Sequence, residues 1–343
     1  MKIEQIQIKT WNYFVGIDVS KLTLDLTLLS ASEVTFRHHL KTSNSHEGWD
    51  EVMLWLEGKG VSLEQILFCM ESTGVYCHTI LACLSAYSCS AWIENALRIK
   101  LSSGIIRGKT DKQDSLMIAQ YARKNYEEVR LYKPNSEKIE RLRGLIQIRE
   151  NLMKAKQSLL KPINEMKEMG VPLAFEFGTH LKSTLQGIEK DLAKIEAKID
   201  TIIREDERLK ELHKLITSVV GVGTRTALAL IVFTNEFINF TSARELASYC
   251  GVVPFKKESG SSVRGKTRIS KMCNHKLKSL LHLSALSAVR HDPELKEYYE
   301  KKRAEGKNAM SVLNAVRNKL VHRIFAVVKR KTPFEKYDYL KVA

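Results

Sequence analysis

No apolar run in this 343-residue chain approaches the roughly 20 residues that a membrane-spanning helix needs, so a helical membrane protein is excluded. C-x-x-C pairs are also missing. Cys69, Cys77, Cys83, Cys89, Cys250 and Cys273 lie mostly inside apolar stretches, a pattern that fits reduced thiols in a cytosol. The opening MKIEQIQIKT lacks the apolar core of a secretory signal, which supports the same cytoplasmic expectation. His275, His282, His291 and His322 are scattered without ligand spacing, so no metal site is expected among them.

What is present is a chain 44% apolar and 27% charged, long enough to bury a sizeable core in two or three domains. Its formal charge of +16 is unevenly spread. Residues 251–343 hold 22 Lys/Arg against 8 Asp/Glu, so the anionic partner is expected at the C-terminal third. Nucleic acid is the first candidate and an acidic membrane surface the second.

In the N-terminal third, YFVGIDV (13–19) and LTLDLTLL (22–29) predict two strands joined by a turn at Ser20 and Lys21. A third strand is expected around 34–40 and a helix over 47–56. The apolar ILFCM (66–70) predicts a strand ending at Glu71, and Gly74 opens an apolar helix. Alternating strands and helices argue an α/β layer fold. Asp18 lies inside one apolar strand and Glu71 ends another, where an unsatisfied carboxylate is costly. In KTDKQDSLMIAQYAR (109–123) Thr110 predicts an N-cap, and Asp111 and Asp114 share one helix face. Four carboxylates from two strand ends and a helix can hold Mg2+ or Mn2+ through oxygen ligands. Against this, two acids at a helix N-terminus are favourable to the macrodipole with no metal at all.

Beyond Pro134, residues 136–169 predict a long polar helix, and a second helix is expected from the break at 170–178 to about Leu212. Leu185, Ile188, Leu192, Ile195, Ile199 and Ile202 recur there at alternating spacings of three and four, a narrow coiled-coil seam. It suits an antiparallel hairpin within one chain or an interface between subunits. Next, LITSVVGVGTRTALALIVF (215–233) resembles a helix-hairpin-helix, whose Gly221 and Gly223 would admit a DNA phosphate to backbone amides. An ordinary helical hairpin with a glycine cap has the same pattern. The stretch KKESGSSVRGKTRISKMCN (256–274) combines Lys256, Lys257, Arg264, Lys266, Arg268 and Lys271 with one acid, Glu258. So polar and turn-prone a segment needs solvent or a polyanion beside it, and it reads as a phosphate-facing active-site loop or as a mobile basic loop between helices. Amphipathic helices over 276–289 and 309–329 complete the chain.

GIDVSK (16–21), ESTG (71–74), KTDKQD (109–114), VVGVG (219–223) and SGSSVRGKTRISK (259–271) resemble, in order and spacing, the DEDD-type transposases of bacterial insertion-sequence family one-ten. The resemblance spans residues 14 to about 330 and implies three domains. These are a ribonuclease-H-like (RuvC-like) metal domain over 1–132, a coiled-coil linker over 133–212, and a basic, mainly helical transposase domain over 213–343. It implies Asp18, Glu71, Asp111 and Asp114 as catalytic metal ligands for Mg2+ or Mn2+, and Ser259 as a nucleophile that links covalently to DNA. Spacing alone leaves Ser259, Ser261 and Ser262 equivalent; the resemblance selects Ser259. Donor and target DNA, a structured non-coding guide RNA and a homodimer or homotetramer are the partners implied. Cys273 stands where the family more often has glycine. Two rival functions use parts of the same residues: a RuvC-like junction endonuclease that activates water, and a non-catalytic nucleic-acid-binding protein.

Overall fold

The computed structural model describes residues 10–72, 74–102, 104, 110–259 and 263–335, with the backbone alone over 256–259 and 263–267. Two units divide the chain, Met1–Pro134 and Asn135–Ala343.

The first unit is a mixed α/β layer built on one five-stranded sheet in the order β3-β2-β1-β4-β5. Strands β1 (Tyr13–Val19), β2 (Thr23–Ser30) and β3 (Arg37–Ser43) form an antiparallel meander. The chain then crosses through α1 (His46–Glu57) to β4 (Ile66–Glu71), which joins the other side of β1 in parallel. After α2 (His78–Ala86), β5 (Ser90–Glu94) adds in parallel to β4, and α3 (Ala96–Ser102) and α4 (Asp111–Asn125) follow. The expected turn forms at Ser20, whose amide donates to the Thr23 carbonyl. The third strand begins three residues later than its expected start, at Arg37.

Alternation sorts the side chains of each strand to two faces. Val15, Ile17, Val19, Leu24, Leu26, Leu28, Ile66, Phe68 and Met70 pack in one core with Trp49, Val52 and Leu56 of α1 and Ile80 and Leu84 of α2. Phe14, Leu67, Cys69 and Trp92 pack on the opposite face with Ile99 of α3 and Ile118, Tyr121 and Ala122 of α4. Both faces are therefore covered, and the polar alternants of β2, Asp25 and Thr27, are buried where a one-sided sheet would leave them wet.

Helix α4 lies tightly on β1 and β2. Thr110 caps it by accepting from the Gln113 amide, Thr27 Oγ1 and Ser115 Oγ are 2.7 Å apart, and Gly16 lies so close that a Cβ there would overlap the backbone of Ser115 and Ala119.

In the second unit α5 (Glu137–Glu168) and α7 (Lys182–Arg204) form an antiparallel hairpin, tied by Arg149 to Glu196 and Lys156 to Glu189. Leu192, Ile199 and Ile202 of the seam are buried, and Ile199, Ile202 and Ile203 share a core with Ile139, Leu142 and Ile146 of α5. The chain thus covers this part of the seam itself, the first of the two arrangements the pattern allows. Two expectations are corrected here. A short helix, α6 (Leu173–His180), forms inside the expected break. The second long helix stops at Arg204, because Asp206 accepts from the Arg208 and Leu209 amides and starts α8 (Glu207–Thr217).

Helices α9 (Thr224–Phe233), α10 (Ala243–Tyr249), α11 (His275–His291), α12 (Pro293–Ala304) and α13 (Ala309–Arg330) complete this unit. Between α10 and α11 the basic stretch is a two-stranded antiparallel hairpin, β6 (Pro254–Ser259) and β7 (Val263–Ile269), not a loop. Val263, Thr267 and Ile269 of β7 are β-branched residues suited to a strand. Among the described residues, no helix is long and apolar enough to cross a membrane.

Replacing Gly16 by Ala is expected to destabilise the protein by about 2–3 kcal/mol, because α4 must move off the sheet to admit the methyl. Urea unfolding followed by circular dichroism measures the loss; a change below about 0.5 kcal/mol contradicts the close approach.

Candidate metal centre and nucleic-acid interface

One register row of the first unit's sheet carries a charged residue on every strand. Lys41 of β3 pairs with Asp25 of β2, and Asp25 pairs with Asp18 of β1. Glu71 follows Met70 on β4 just as Asp18 follows its partner Ile17 on β1, and Glu71 pairs with Glu94 of β5. The row lies one step beyond Gly16 and Thr27, on the face that α4 covers, and the first turn of α4 adds Asp111 and Asp114. Sequence-distant acids thus converge because parallel pairing of β1 with β4 aligns their C-terminal ends.

The crowding is felt most at Asp18, which is half-buried. Burial first, and then the charges of Asp114, Asp111, Glu71 and Asp25, push its carboxyl up to about 6. All four acids expected from the sequence therefore share one electrostatic neighbourhood. Among the described residues, no group of three or more His, Cys, Asp or Glu is drawn close enough to hold a metal ion as it stands.

Both ends of the row are tied to cations. Asp25, 4% exposed, lies 3.0 Å from His39 Nε2 and 3.1 Å from Lys41 Nζ. Lys41 also reaches Asp111 at 3.5 Å; hydrogen bonding to Asp25, then the charge of Asp25, holds its ammonium above the usual lysine range. At the far end Glu94, 8% exposed, accepts from Arg98 at 3.1 Å, from the Asn95 amide at 2.7 Å and from Tyr121 Oη at 3.0 Å. Burial and that bond to Glu94 push the Tyr121 phenol up to about 12.

Sequence reasoning missed Asp25, His39, Lys41 and Glu94. An acid at an alternating position of LTLDLTLL reads as solvent-facing, and only the cover provided by α4 makes it costly. The one available signal was the parity of Asp25 with its strand neighbours, which repeats the pattern of Asp18.

In the second unit, Ser259 ends β6 and its backbone pairs with Val263; Glu258 pairs with Arg264 and Lys257 with Gly265. Lys256, Lys257, Arg264, Lys266 and Arg268 belong to this hairpin, where Arg268 is exposed, and Lys271 is exposed just after it. Ser261 and Ser262 lie outside the described residues. Cys273 packs on Gly251, which is in the left-handed region with φ +65°. The two glycines of the expected helix-hairpin-helix behave differently. Gly221, at φ +90°, faces Ala288 and Ser284 of α11 so closely that a side chain would collide, so packing within the unit accounts for it. Gly223 is exposed at the N-cap of α9 with open space around it, and remains a place where backbone amides can meet a phosphate.

An α/β layer with clustered acids is followed in the chain by a mainly helical unit, and comparison with known proteins relates both to transposases. A transposase model of the DEDD IS110 type matches residues 15–166, and a model described as the transposase IS116/IS110/IS902 family matches residues 213–300. A pilin gene-inverting protein of Moraxella bovis is 25% identical over 326 residues, covering 94% of this chain and 98% of its own. An IS110 protein of 43.6 kDa from Streptomyces coelicolor is 32% identical over 155 residues, covering 45% of this chain and 37% of its own. By these matches the chain is similar to the IS110/IS116/IS902 family transposases over residues 15–166 and 213–300.

With Asp18 raised to about 6 against 3.8, ionising it in the folded chain costs stability. Stability from this group is full below about pH 4 and is lost as pH rises through about 6. In metal-free buffer, Asp18→Asn is therefore expected to stabilise the protein at pH 7.5 by about 1–2 kcal/mol, after discounting for its half-exposed position. The gain should vanish near pH 4; thermal melts across this range check it, and a gain that is constant with pH contradicts the assignment.

Proposed function

We propose that this protein is a transposase of that family that cuts and rejoins DNA, with Asp18, Glu71, Asp111 and Asp114 holding Mg2+ or Mn2+ and Ser259 serving as the nucleophile. The observation that carries the reading is the charge row: on top of burial, Glu71 of β4, Asp111 and Asp114 at the start of α4 and Asp25 of β2 load the Asp18 carboxyl of β1 with repulsion that a divalent cation would relieve. An all-oxygen donor set suits these hard cations. The sheet order and its parallel β1-β4-β5 portion support a ribonuclease-H-like (RuvC-like) layer for this unit.

A bound cation supplies neutralisation of phosphate charge and assistance to oxygen nucleophiles. The protein's own groups divide the remaining work. Lys256, Lys257, Arg264, Lys266, Arg268 and Lys271 hold the DNA backbone on either side of Ser259, with the amides at Gly223 as a further phosphate contact. Ser259 Oγ loses its proton to solvent and bonds to phosphorus as one bridging phosphorus–oxygen bond breaks, and the displaced deoxyribose oxygen takes up a proton from solvent to leave a free DNA hydroxyl end. A phosphodiester replaces a phosphodiester, so the strand can be rejoined by the reverse step without an energy source. Donor and target DNA are the substrates, a structured non-coding RNA is the guide, and the working form is a homodimer or homotetramer that holds two duplexes together in the bacterial cytoplasm.

The near full-length relative is named for inverting a pilin gene, which favours a second reading at the level of outcome. The same cut-and-rejoin chemistry inverts a segment when two sites lie in one molecule, and moves an element when they do not.

Two variants test the reading. On a labelled duplex with a suicide nick, Ser259→Ala should lose the covalent protein–DNA adduct on a denaturing gel while retaining DNA binding, and Ser261→Ala and Ser262→Ala should keep it. Glu71→Gln should lower recombination in cells about a hundredfold or more with the circular dichroism spectrum unchanged. Cleavage without any adduct moves the protein to a water-using junction endonuclease, and unaltered recombination in Glu71→Gln removes the metal reading.

A further inference from the structure

We infer that Lys41 is a stand-in cation for the carboxylate cluster: it holds Asp111 while no metal is bound and gives it up when a divalent cation binds. This rests on the proposed role of the four acids. Lys41 stands directly across from Asp25 in the β2–β3 register, with Nζ 3.1 Å from Asp25 Oδ2 and 3.5 Å from Asp111 Oδ2. The two links differ in kind. Asp25 is buried and is also held by His39 Nε2 at 3.0 Å, so it is a fixed anchor. Asp111 and Lys41 have side chains 60% and 52% exposed, so their longer link lies in a solvated, high-dielectric setting and is weak.

A doubly charged ion near Asp111 competes with the ammonium for the same oxygens and also repels it. Lys41 then has somewhere to go, because Asp25 keeps it. This arrangement gives a physical role to Asp25, which faces Asp18 across the strands. Engaged by His39 and Lys41, Asp25 serves as the counter-charge of the lysine and not as a further ligand. Lys41 and Asp25 are thus positioning residues, and they set how readily the site exchanges its internal cation for a metal.

The sign of one effect separates this role from that of a simple strut. If Lys41 only positioned Asp111, its loss would weaken metal binding. As a competing cation, its loss must tighten it. Mn2+ binding by the full chain is followed by the electron paramagnetic resonance signal of the free ion, with Asp18→Asn as the reference for the acid site. Lys41→Met should tighten Mn2+ binding about five- to tenfold, the scale for one unit charge acting on a dication several ångströms away in solvent. Lys41→Arg should stay within about twofold of the unaltered protein, and Asp25→Asn should weaken binding. Lys41→Met should also lower the melting temperature of the metal-free protein by more than that of the Mn2+-saturated one, in which only the Asp25 link is lost. Mn2+ affinity that is unchanged or weaker in Lys41→Met overturns the inference, as does equal tightening in Lys41→Arg. Absence of any Mn2+ binding that Asp18→Asn removes overturns the metal reading itself, and this inference with it.

Discussion

Repulsion among carboxylates in one row of a covered sheet is the constraint on which the first unit depends. Asp25, Asp18, Glu71 and Glu94 occupy adjacent strands in register, and Asp111 and Asp114 are set down beside them by α4. A fold does not gather acids this way for stability, since each like-charge neighbour raises the cost of ionising the next. The ends of the row are accommodated by His39 and Lys41 on one side and by Arg98 and Tyr121 on the other. The centre, at Asp18, carries burial first and the remaining repulsion with it, as a raised carboxyl. The positive end of α4 contributes in the same direction, because its first turn is where Asp111 and Asp114 sit.

Small features of the sheet make this placement possible. Gly16, two residues before Asp18 on the same face, lets the α4 backbone come down onto β1, and Thr27 bonds across to Ser115 at the same level. A side chain at Gly16 would lift the helix and with it both aspartates of its first turn. The GID portion of the N-terminal motif thus has two linked roles: glycine sets the depth of the helix, and aspartate meets what the helix brings.

Much of this was legible in the sequence, and the reasons for the remainder are physical. Asp18 stood out because it interrupts an apolar run, Glu71 because it ends one, and Thr110 because a cap precedes a helical period; all three lie where expected. Asp25 did not stand out, because its burial depends on a helix 86 residues later in the chain, beginning at Asp111. His39 and Lys41 were hidden for a related reason: cross-strand register decides whom they face, and composition does not report register. In the second unit the seam was legible but its partner was not, since a heptad pattern is the same whether α5 or another subunit covers it. The basic stretch was read as a loop because charge and glycine masked an alternation that backbone pairing satisfies.

The contrast between Gly221 and Gly223 shows how far a motif can be trusted for function. Both belong to the same short turn, and both fit a phosphate-binding reading. Gly221 is already required by the helix packed against it, so its presence would be explained in a protein that never met DNA. Gly223 has no such neighbour, is exposed, and stands where the amides of α9 begin. Its lack of a side chain is therefore unexplained by packing, and close approach of an anion is the use that the geometry leaves open. The same test separates Asp25 from Asp18: the first is satisfied by its own strand neighbours, while the second bears a cost that folding alone does not recover. Function in this chain is best sought at residues of the second kind, whose local cost or freedom the rest of the fold leaves unanswered.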